Sequence, residues 1–379
     1  MTSTRTRPAT ARTRPDRPRR LRPRPLAYAA AVGYISAGVL AMALALGGGL
    51  PRSQLAGLVD AGALTAWGLP VSRLAVDMAA VGTIGMLITT ILLPRADGEL
   101  SVEARRCLRT ASGLGLVWGV ATAVMLVFTW SDVTALRITD LPLSQVLAGP
   151  DGSFPDATQY ASGAVLAIVI AAGAIITRSV WGAAALLVTA CYNLLPLTTT
   201  GHAQHSWINA YALTVHVVAL SLWVGGLAAL LIHARRSPDL LAVAVPRFSN
   251  LALICFTAVG ISGVTMAWVN LGSFGKLFGS EYGWLVVGKA TALATLGFIG
   301  WSHRRRTVPA IRRRRRRAFF RLAAVEVLVM AATIALAVAL SRSAAPNTVG
   351  GGTSHVHAAA STAGPAEAAA GQAATVGAG

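Results

Sequence analysis

Three histidines, His202, His205 and His216, lie at the start of a strongly apolar stretch of the chain. An imidazole placed in hydrocarbon loses its water and must find another polar partner. Histidines inside membranes therefore serve chiefly as metal or haem ligands and as proton carriers. The residue types and their position indicate a metal site or a proton path at one face of a membrane.

The composition indicates the kind of protein that surrounds these histidines. The chain has 379 residues, of which 54% are hydrophobic and 12% are charged, and its mean hydropathy is +0.60. These values are typical of an integral membrane protein rather than a soluble domain. The net charge of +19 is carried by arginines that flank apolar runs. That pattern favours a role in membrane topology, so we expect the lipid bilayer as a partner and no nucleic acid.

Nine apolar runs are long enough, or nearly so, to cross a bilayer as helices of about 20 residues. They lie near residues 26–46, 71–93, 111–130, 160–177, 180–197, 211–233, 251–271, 284–301 and 322–340. The sequence therefore predicts an all-α polytopic membrane bundle over residues 26–341. Only Arg178 and Ser179 separate the fourth and fifth runs, which predicts a tight helical hairpin at that point.

The distribution of basic residues predicts the orientation of this bundle. If the N-terminus is cytoplasmic, most of the 33 Lys and Arg residues fall on the inner side, as the positive-inside rule requires. Residues 1–25 are then a basic, disordered cytoplasmic arm. The Ala/Gly-rich residues 342–379 form a disordered tail on the outer side, which also holds the loop with His202 and His205.

With this topology and a rise of about 1.5 Å per residue, His216, Asp77 and Lys289 each lie roughly 8 to 9 Å below the outer ends of their helices. The same outer third contains further polar and sulfur-bearing side chains, namely Met78, Met125, Cys191, Asn193 and Met266. A methionine or a cysteine at such a place is also compatible with simple packing. Asp77 and Lys289 are compatible with a charge pair that joins two helices.

Several motifs follow one another along residues 70–340: the helix with Asp77, Gly201-His202-Ala203, His216 with Trp223-x-Gly225-Gly226-Leu227, Arg247-Phe248-Ser249, Tyr282-Gly283-Trp284 with Lys289, and Arg321 with Glu326. Together and in this order they resemble the copper resistance protein D family of bacterial inner-membrane proteins. The resemblance implies a multi-pass protein of the cytoplasmic membrane that takes up copper and is not an enzyme. It also implies a separate periplasmic copper-binding protein as a partner.

The predicted ligands agree chemically with copper as the transported ion. Thioether, thiol and imidazole groups suit Cu(I), whereas imidazole with carboxylate suits Cu(II). Our hypothesis is that His202 and His205 capture copper at the outer surface and His216 receives it inside the bundle. The remaining predicted site residues are soft ligands, Met78, Met125, Cys191 and Met266, and supporting charges, Asp77 and Lys289.

Two alternatives to copper transport stay open at the level of sequence. The first is a b-type haem redox protein in which His216 pairs with His202 or His205. The second is a factor that delivers copper during oxidase assembly without transporting it. The sequence contains no GxxxxGK[ST] nucleotide-binding loop. Transport would therefore be passive or coupled to an ion gradient.

Overall fold

A computed structural model describes residues 25–46, 61–96, 99–142, 155–195, 207–233, 238–271, 281–302, 305 and 316–340. These residues form an all-α structure of nine helices. The only other elements among them are a short antiparallel hairpin, in which each strand has two residues (Arg95–Ala96 and Glu99–Leu100), and a 3₁₀ turn (Ile138–Asp140). The helices are α1 (Pro25–Leu46), α2 (Gly62–Leu92), α3 (Val102–Thr134), α4 (Pro155–Ile176), α5 (Val180–Tyr192), α6 (Trp207–His233), α7 (Pro238–Leu271), α8 (Glu281–Ser302) and α9 (Arg316–Leu340).

Each predicted apolar run coincides with one of these helices, so the all-α prediction is confirmed for the described residues. Five segments are long and apolar enough to cross a membrane: Gly62–Leu92, Val102–Thr134, Ala157–Ile176, Trp207–His233 and Ala242–Val269. The protein is therefore a multi-pass membrane protein. The number of crossings beyond these five, and the side on which each end lies, stay predictions. The basic arm and the Ala/Gly-rich tail lie outside the described residues, apart from the first helical residues at Pro25.

Three helix starts differ clearly from the prediction, and the hairpin between α4 and α5 agrees with it. Helix α2 begins at Gly62, α3 at Val102 and α7 at Pro238, each well before its apolar run. Hydropathy detects only the apolar part of a helix, whereas the backbone ladder continues into its polar flank. Ser179 caps α5 by accepting a hydrogen bond from the Gly182 N–H at 3.0 Å, which fixes the turn where it was predicted.

Helix α2 is the centre of the bundle. It packs against α3, α5, α6 and α9, and its side chains Val76, Ile84 and Leu87 have no exposed surface. The hydroxyl groups of Thr83 and Thr90 are also buried, and each donates at 2.8 Å to a carbonyl of its own helix four residues earlier. An apolar interior offers these hydroxyls no water, so the helix itself satisfies them.

Helices α2 and α6 touch through their backbones at two glycines. A Cβ atom added at Gly85 would overlap the carbonyl group of Gly225, and one added at Gly225 would overlap the Val81 carbonyl oxygen. One turn further along, the Thr89 hydroxyl lies 3.5 Å from the Gly226 carbonyl oxygen. The pairing advances in the same direction on both helices, so α2 and α6 run parallel. Small residues are what allows such an approach between membrane helices.

Helices α6 and α7 run antiparallel. A Cβ atom at Gly226 would lie 2.7 Å from the Phe248 ring, and the rings of Trp223 and Phe256 meet edge to face with their centroids 5.8 Å apart. Successive contacts thus rise along α7 as they fall along α6. The Arg247 guanidinium donates at 3.0 Å to the Leu92 carbonyl oxygen at the end of α2. This bond joins the N-terminal part of α7 to the C-terminal end of α2.

Candidate functional site

His216 lies inside the membrane segment formed by α6 and contacts α7. Its side chain is half-buried, and its Nδ1 atom lies 3.0 Å from the Oγ atom of Ser262. The first half of α6, Trp207–Leu220, packs mainly against α7, whereas the second half packs mainly against α2. The structure therefore places the predicted intramembrane ligand at the α6–α7 interface.

Ser262 is buried on α7, with 4% of its surface exposed. Its hydroxyl lies 2.7 Å from the Ala258 carbonyl oxygen and 3.2 Å from the Val259 carbonyl oxygen, in the preceding turn of the same helix. The hydroxyl is thus held by its own helix while it meets the imidazole of His216. This side chain was not among the predicted site residues.

Two further residues of α7, Gly263 and Met266, lie near the height of the His216 imidazole. A Cβ atom at Gly263 would lie 3.8 Å from the Cε1 atom of His216, so the backbone of α7 passes close to this edge of the ring and Gly263 itself adds no side chain there. Met266 lies one turn after Ser262 on the same face of α7 and is half-buried. Helical side chains lean toward the helix N-terminus, which for Met266 is the direction of Ser262. Met266 is the predicted sulfur ligand that the fold places nearest to His216 along α7.

A π-helical segment, Ser221–Gly225, separates His216 from the glycine contact with α2. A π turn holds one more residue than an α turn, so it changes the rotation of one helix half relative to the other by about 100°. Such segments are frequent at functional sites. Gly225, the last residue of this segment, contacts α2, whereas His216, five residues before the segment, contacts α7.

Asp77 is paired within its own helix. Its carboxylate lies 3.5 Å from the Nε atom of Arg73, one turn earlier, and both side chains keep part of their surface exposed. By helix rise, Asp77 and His216 lie about 12 and 13 Å from the Gly85–Gly225 contact, on parallel helices. They have similar heights, but the first half of α6, which contains His216, packs against α7 rather than against α2. The described contacts therefore give the two groups different partners.

The other predicted ligands lie in separate parts of the bundle. Met78 packs in a cluster with Leu40 of α1 and Ala335 and Val338 of α9. Met125 is buried in the main core, where 2% of its surface is exposed. Cys191 is a half-buried free thiol on α5. No described contact links these three side chains to His216.

Within the described ranges, no three His, Cys, Asp or Glu side chains lie close enough to hold a metal ion. Methionine thioethers are a separate class of ligand, and the loop with His202 and His205 lies outside the described residues. The helix position of Lys289 is described, but its side chain is not. The roles of these three residues stay predictions.

The chain was compared with protein families, with curated proteins and with solved structures. The family model of copper resistance protein D matches residues 242–340. These residues form a copper resistance protein D domain. The domain comprises most of α7 with all of α8 and α9, and it includes Ser262 and Met266, so the predicted resemblance is confirmed over this part of the chain. No curated protein and no solved structure matched.

The copper resistance protein D domain implies a membrane protein that handles copper, and proteins of this family are generally not enzymes. His216 precedes the matched residues, as do Asp77, Met78, Met125 and Cys191. The structure nevertheless joins His216 to the domain through Ser262. The α6–α7 interface is consequently the place where the predicted intramembrane ligand meets the identified domain.

Two residues outside the predicted set, Ser262 and Arg73, contact predicted site residues and have a signal in the sequence. Ser262 is a serine in the apolar run of the seventh helix, where a hydroxyl needs a partner. Arg73 and Asp77 have the four-residue spacing of an ion pair on one helix face. The π segment has no such signal, because its sequence Ser-Leu-Trp-Val-Gly also fits an ordinary helix.

Proposed function

We propose that this protein carries copper ions across the cytoplasmic membrane and thereby contributes to copper homeostasis or resistance. The observation that supports this most directly is the bond between His216 and Ser262, because Ser262 belongs to the copper resistance protein D domain. An intramembrane imidazole held by that domain is a suitable ligand for the ion with which the family is associated.

In this proposal, copper is the transported substrate and His216 is its ligand within the membrane. Met266 supplies a thioether from the facing helix, and imidazole with thioether favours Cu(I) over harder ions. His202 and His205 capture copper at the outer surface before it reaches His216. A separate periplasmic copper-binding protein delivers it. Asp77, Lys289, Met78, Met125 and Cys191 are secondary candidates for the path beyond His216.

The first experiment measures copper binding by the purified protein in detergent, loaded separately with Cu(I) and Cu(II). We expect wild type to bind Cu(I) and His216→Ala to lose that binding while it elutes as folded protein. His233→Ala is the matched control, because His233 lies at the opposite end of α6, where its Nε2 atom is 3.3 Å from the Thr110 hydroxyl. Equal copper binding in wild type and His216→Ala would contradict the assignment of His216.

The same preparations test the two alternatives. A Soret band in wild type that is lost in His216→Ala would indicate a haem protein and would overturn the copper proposal. A haem held by two histidines needs both at the same height in the membrane. The other histidine in the described residues, His233, lies 17 positions from His216, or about 25 Å along the helix, which is too far for the two to hold one haem. Normal copper accumulation in cells that lack the protein, together with co-purification of oxidase subunits, would instead indicate delivery without transport.

A further inference from the structure

The hydrogen bonds around Ser262 determine which nitrogen of His216 carries the proton. A serine hydroxyl has one proton to donate and two lone pairs that accept. The shortest contact of the Ser262 oxygen is the one to the Ala258 carbonyl oxygen, at 2.7 Å, and a carbonyl oxygen can only accept. The Ser262 proton is therefore committed to its own helix.

The contact between Ser262 and His216 must then have the opposite direction. With its proton directed to Ala258, the Ser262 oxygen accepts at 3.0 Å from the Nδ1 atom of His216, so Nδ1 bears a hydrogen. A neutral imidazole has one protonated nitrogen and one nitrogen with a lone pair. If Nδ1 is protonated, the lone pair of the neutral ring is on Nε2.

We propose that Ser262 is a positioning residue that holds His216 in the tautomer protonated on Nδ1, so that Nε2 carries the lone pair with which the ring binds Cu(I). The copper part of this inference rests on the proposed function, whereas the tautomer does not. Metal-binding histidines generally donate their second N–H to a neighbouring acceptor, which fixes the ring orientation and raises its basicity. Ser262 supplies that acceptor from the facing helix.

The local packing suits this role. Ser262 is buried and held in place by its own helix, so its oxygen stays in one position. Gly263, the next residue, adds no side chain against the Cε1 edge that lies between the two ring nitrogens. Ser262 thus holds the ring at Nδ1, and Gly263 adds no side chain at the neighbouring edge.

The tautomer is measurable without copper. We would label the full-length, metal-free protein with ¹⁵N-histidine in detergent and record two-bond ¹H–¹⁵N correlations, which separate protonated from unprotonated ring nitrogens. The chain has 7 histidines, so His216→Gln identifies the signals of His216. We expect a protonated Nδ1 and an unprotonated Nε2 in wild type. A protonated Nε2 with an unprotonated Nδ1 would overturn the inference.

Two variants of Ser262 then test its role. Ser262→Ala removes the acceptor with little change in volume, and we expect His216 to populate both tautomers and Cu(I) affinity to fall about 10- to 100-fold. Ser262→Thr keeps the hydroxyl and its bond to the preceding turn, and we expect it to restore both properties. An unchanged tautomer in Ser262→Ala would contradict the positioning role.

The tautomer and the copper measurements fail independently. If wild type shows the expected tautomer, and Ser262→Ala loses it, but neither protein binds copper, the proposed function is wrong and the positioning role stands. If copper binds to wild type and Ser262→Ala with equal affinity, Ser262 does not prepare His216 for copper, and that part of the inference is wrong. The first result concerns the protein's substrate, and the second concerns the role of Ser262 in copper binding.

Discussion

The two halves of helix α6 differ in what they contact and in how much freedom they have. At the end of the π segment and directly after it, Gly225 and Gly226 touch the backbone of α2 and the ring of Phe248, and no carbon atom can be added there without a shift of these neighbours. Before the π segment, His216 lies within hydrogen-bond distance of Ser262 on α7 and keeps part of its surface exposed. Close packing thus determines the contacts of the glycine half, whereas a polar contact determines those of the histidine half.

Residues along this one helix should therefore matter for two different reasons, folding and copper binding. The glycine half fixes the distance and direction of α2, α6 and α7, and its changes should affect folding. The histidine half contains the proposed copper ligand, and its changes should affect copper binding while the fold remains. The π segment between them allows both faces to be presented by one continuous helix.

The largest effect is expected for Gly225→Ala in the packed half. The added methyl group would overlap the Val81 carbonyl oxygen, which is backbone and cannot move aside as a side chain would. Overpacking of an ordinary core costs about 1 to 3 kcal/mol, and a backbone clash should exceed that range. We expect little folded protein, measured as the monodisperse fraction in size-exclusion chromatography after extraction in detergent.

Gly113→Ala is the control for that variant. Gly113 lies on α3, and an added Cβ atom there would meet no other atom within 4 Å. Alanine is favoured over glycine in a helix by about 1 kcal/mol, so we expect wild-type yield or better. Full yield of Gly225→Ala would show that α2 and α6 are further apart than the structure places them, and the contrast between the two halves would disappear.

A medium effect is expected for Met266→Leu in the polar half. Leucine keeps the volume of methionine but removes the thioether, so the fold should persist. We expect Cu(I) affinity to fall about tenfold, which corresponds to about 1.4 kcal/mol, with less effect on Cu(II). Competition titrations with a Cu(I) chelator measure the change.

The matched control is Met42→Leu on α1, a residue that is 67% exposed and lies away from the α6–α7 interface. We expect it to bind Cu(I) as wild type does. An equal loss of affinity in both variants would point to a general effect of removing a thioether. Unchanged affinity in Met266→Leu would remove this methionine from the site and leave His216 as the sole ligand proposed at the α6–α7 interface.

The sequence predicted the helices well because their signal is local. Each apolar run became a helix, and Ser179 capped α5 at the predicted turn. Partners across helices were harder to predict because they depend on rotation. Matched depth suggested one group of polar residues around His216, but depth says nothing about the direction in which a side chain leaves its helix. Met78 accordingly packs with α1 and α9.

The π segment explains part of this difficulty. A regular helix would place His216, nine residues before Gly225, on the face opposite the glycine contact. The extra residue in the π turn rotates it by about 100°. Neither the rotation nor the choice of α7 as the partner of His216 can be read from hydropathy. The spacing of Arg73 and Asp77 was readable, since it depends on one helix alone.

The smallest effect is expected for Thr89→Val, again in the packed half. The Thr89 hydroxyl is fully buried and lies 3.5 Å from the Gly226 carbonyl oxygen, at the long limit of a hydrogen bond. Valine replaces the hydroxyl with a methyl group of similar size, and a helix carbonyl keeps its ladder bond when a second donor leaves. We expect a loss of less than about 1 kcal/mol in stability, seen as a small fall in the temperature of aggregation, with unchanged Cu(I) affinity. Weaker copper binding at full stability would mean that the glycine half also acts on the metal site, and the division of α6 into a packing half and a chemical half would be wrong.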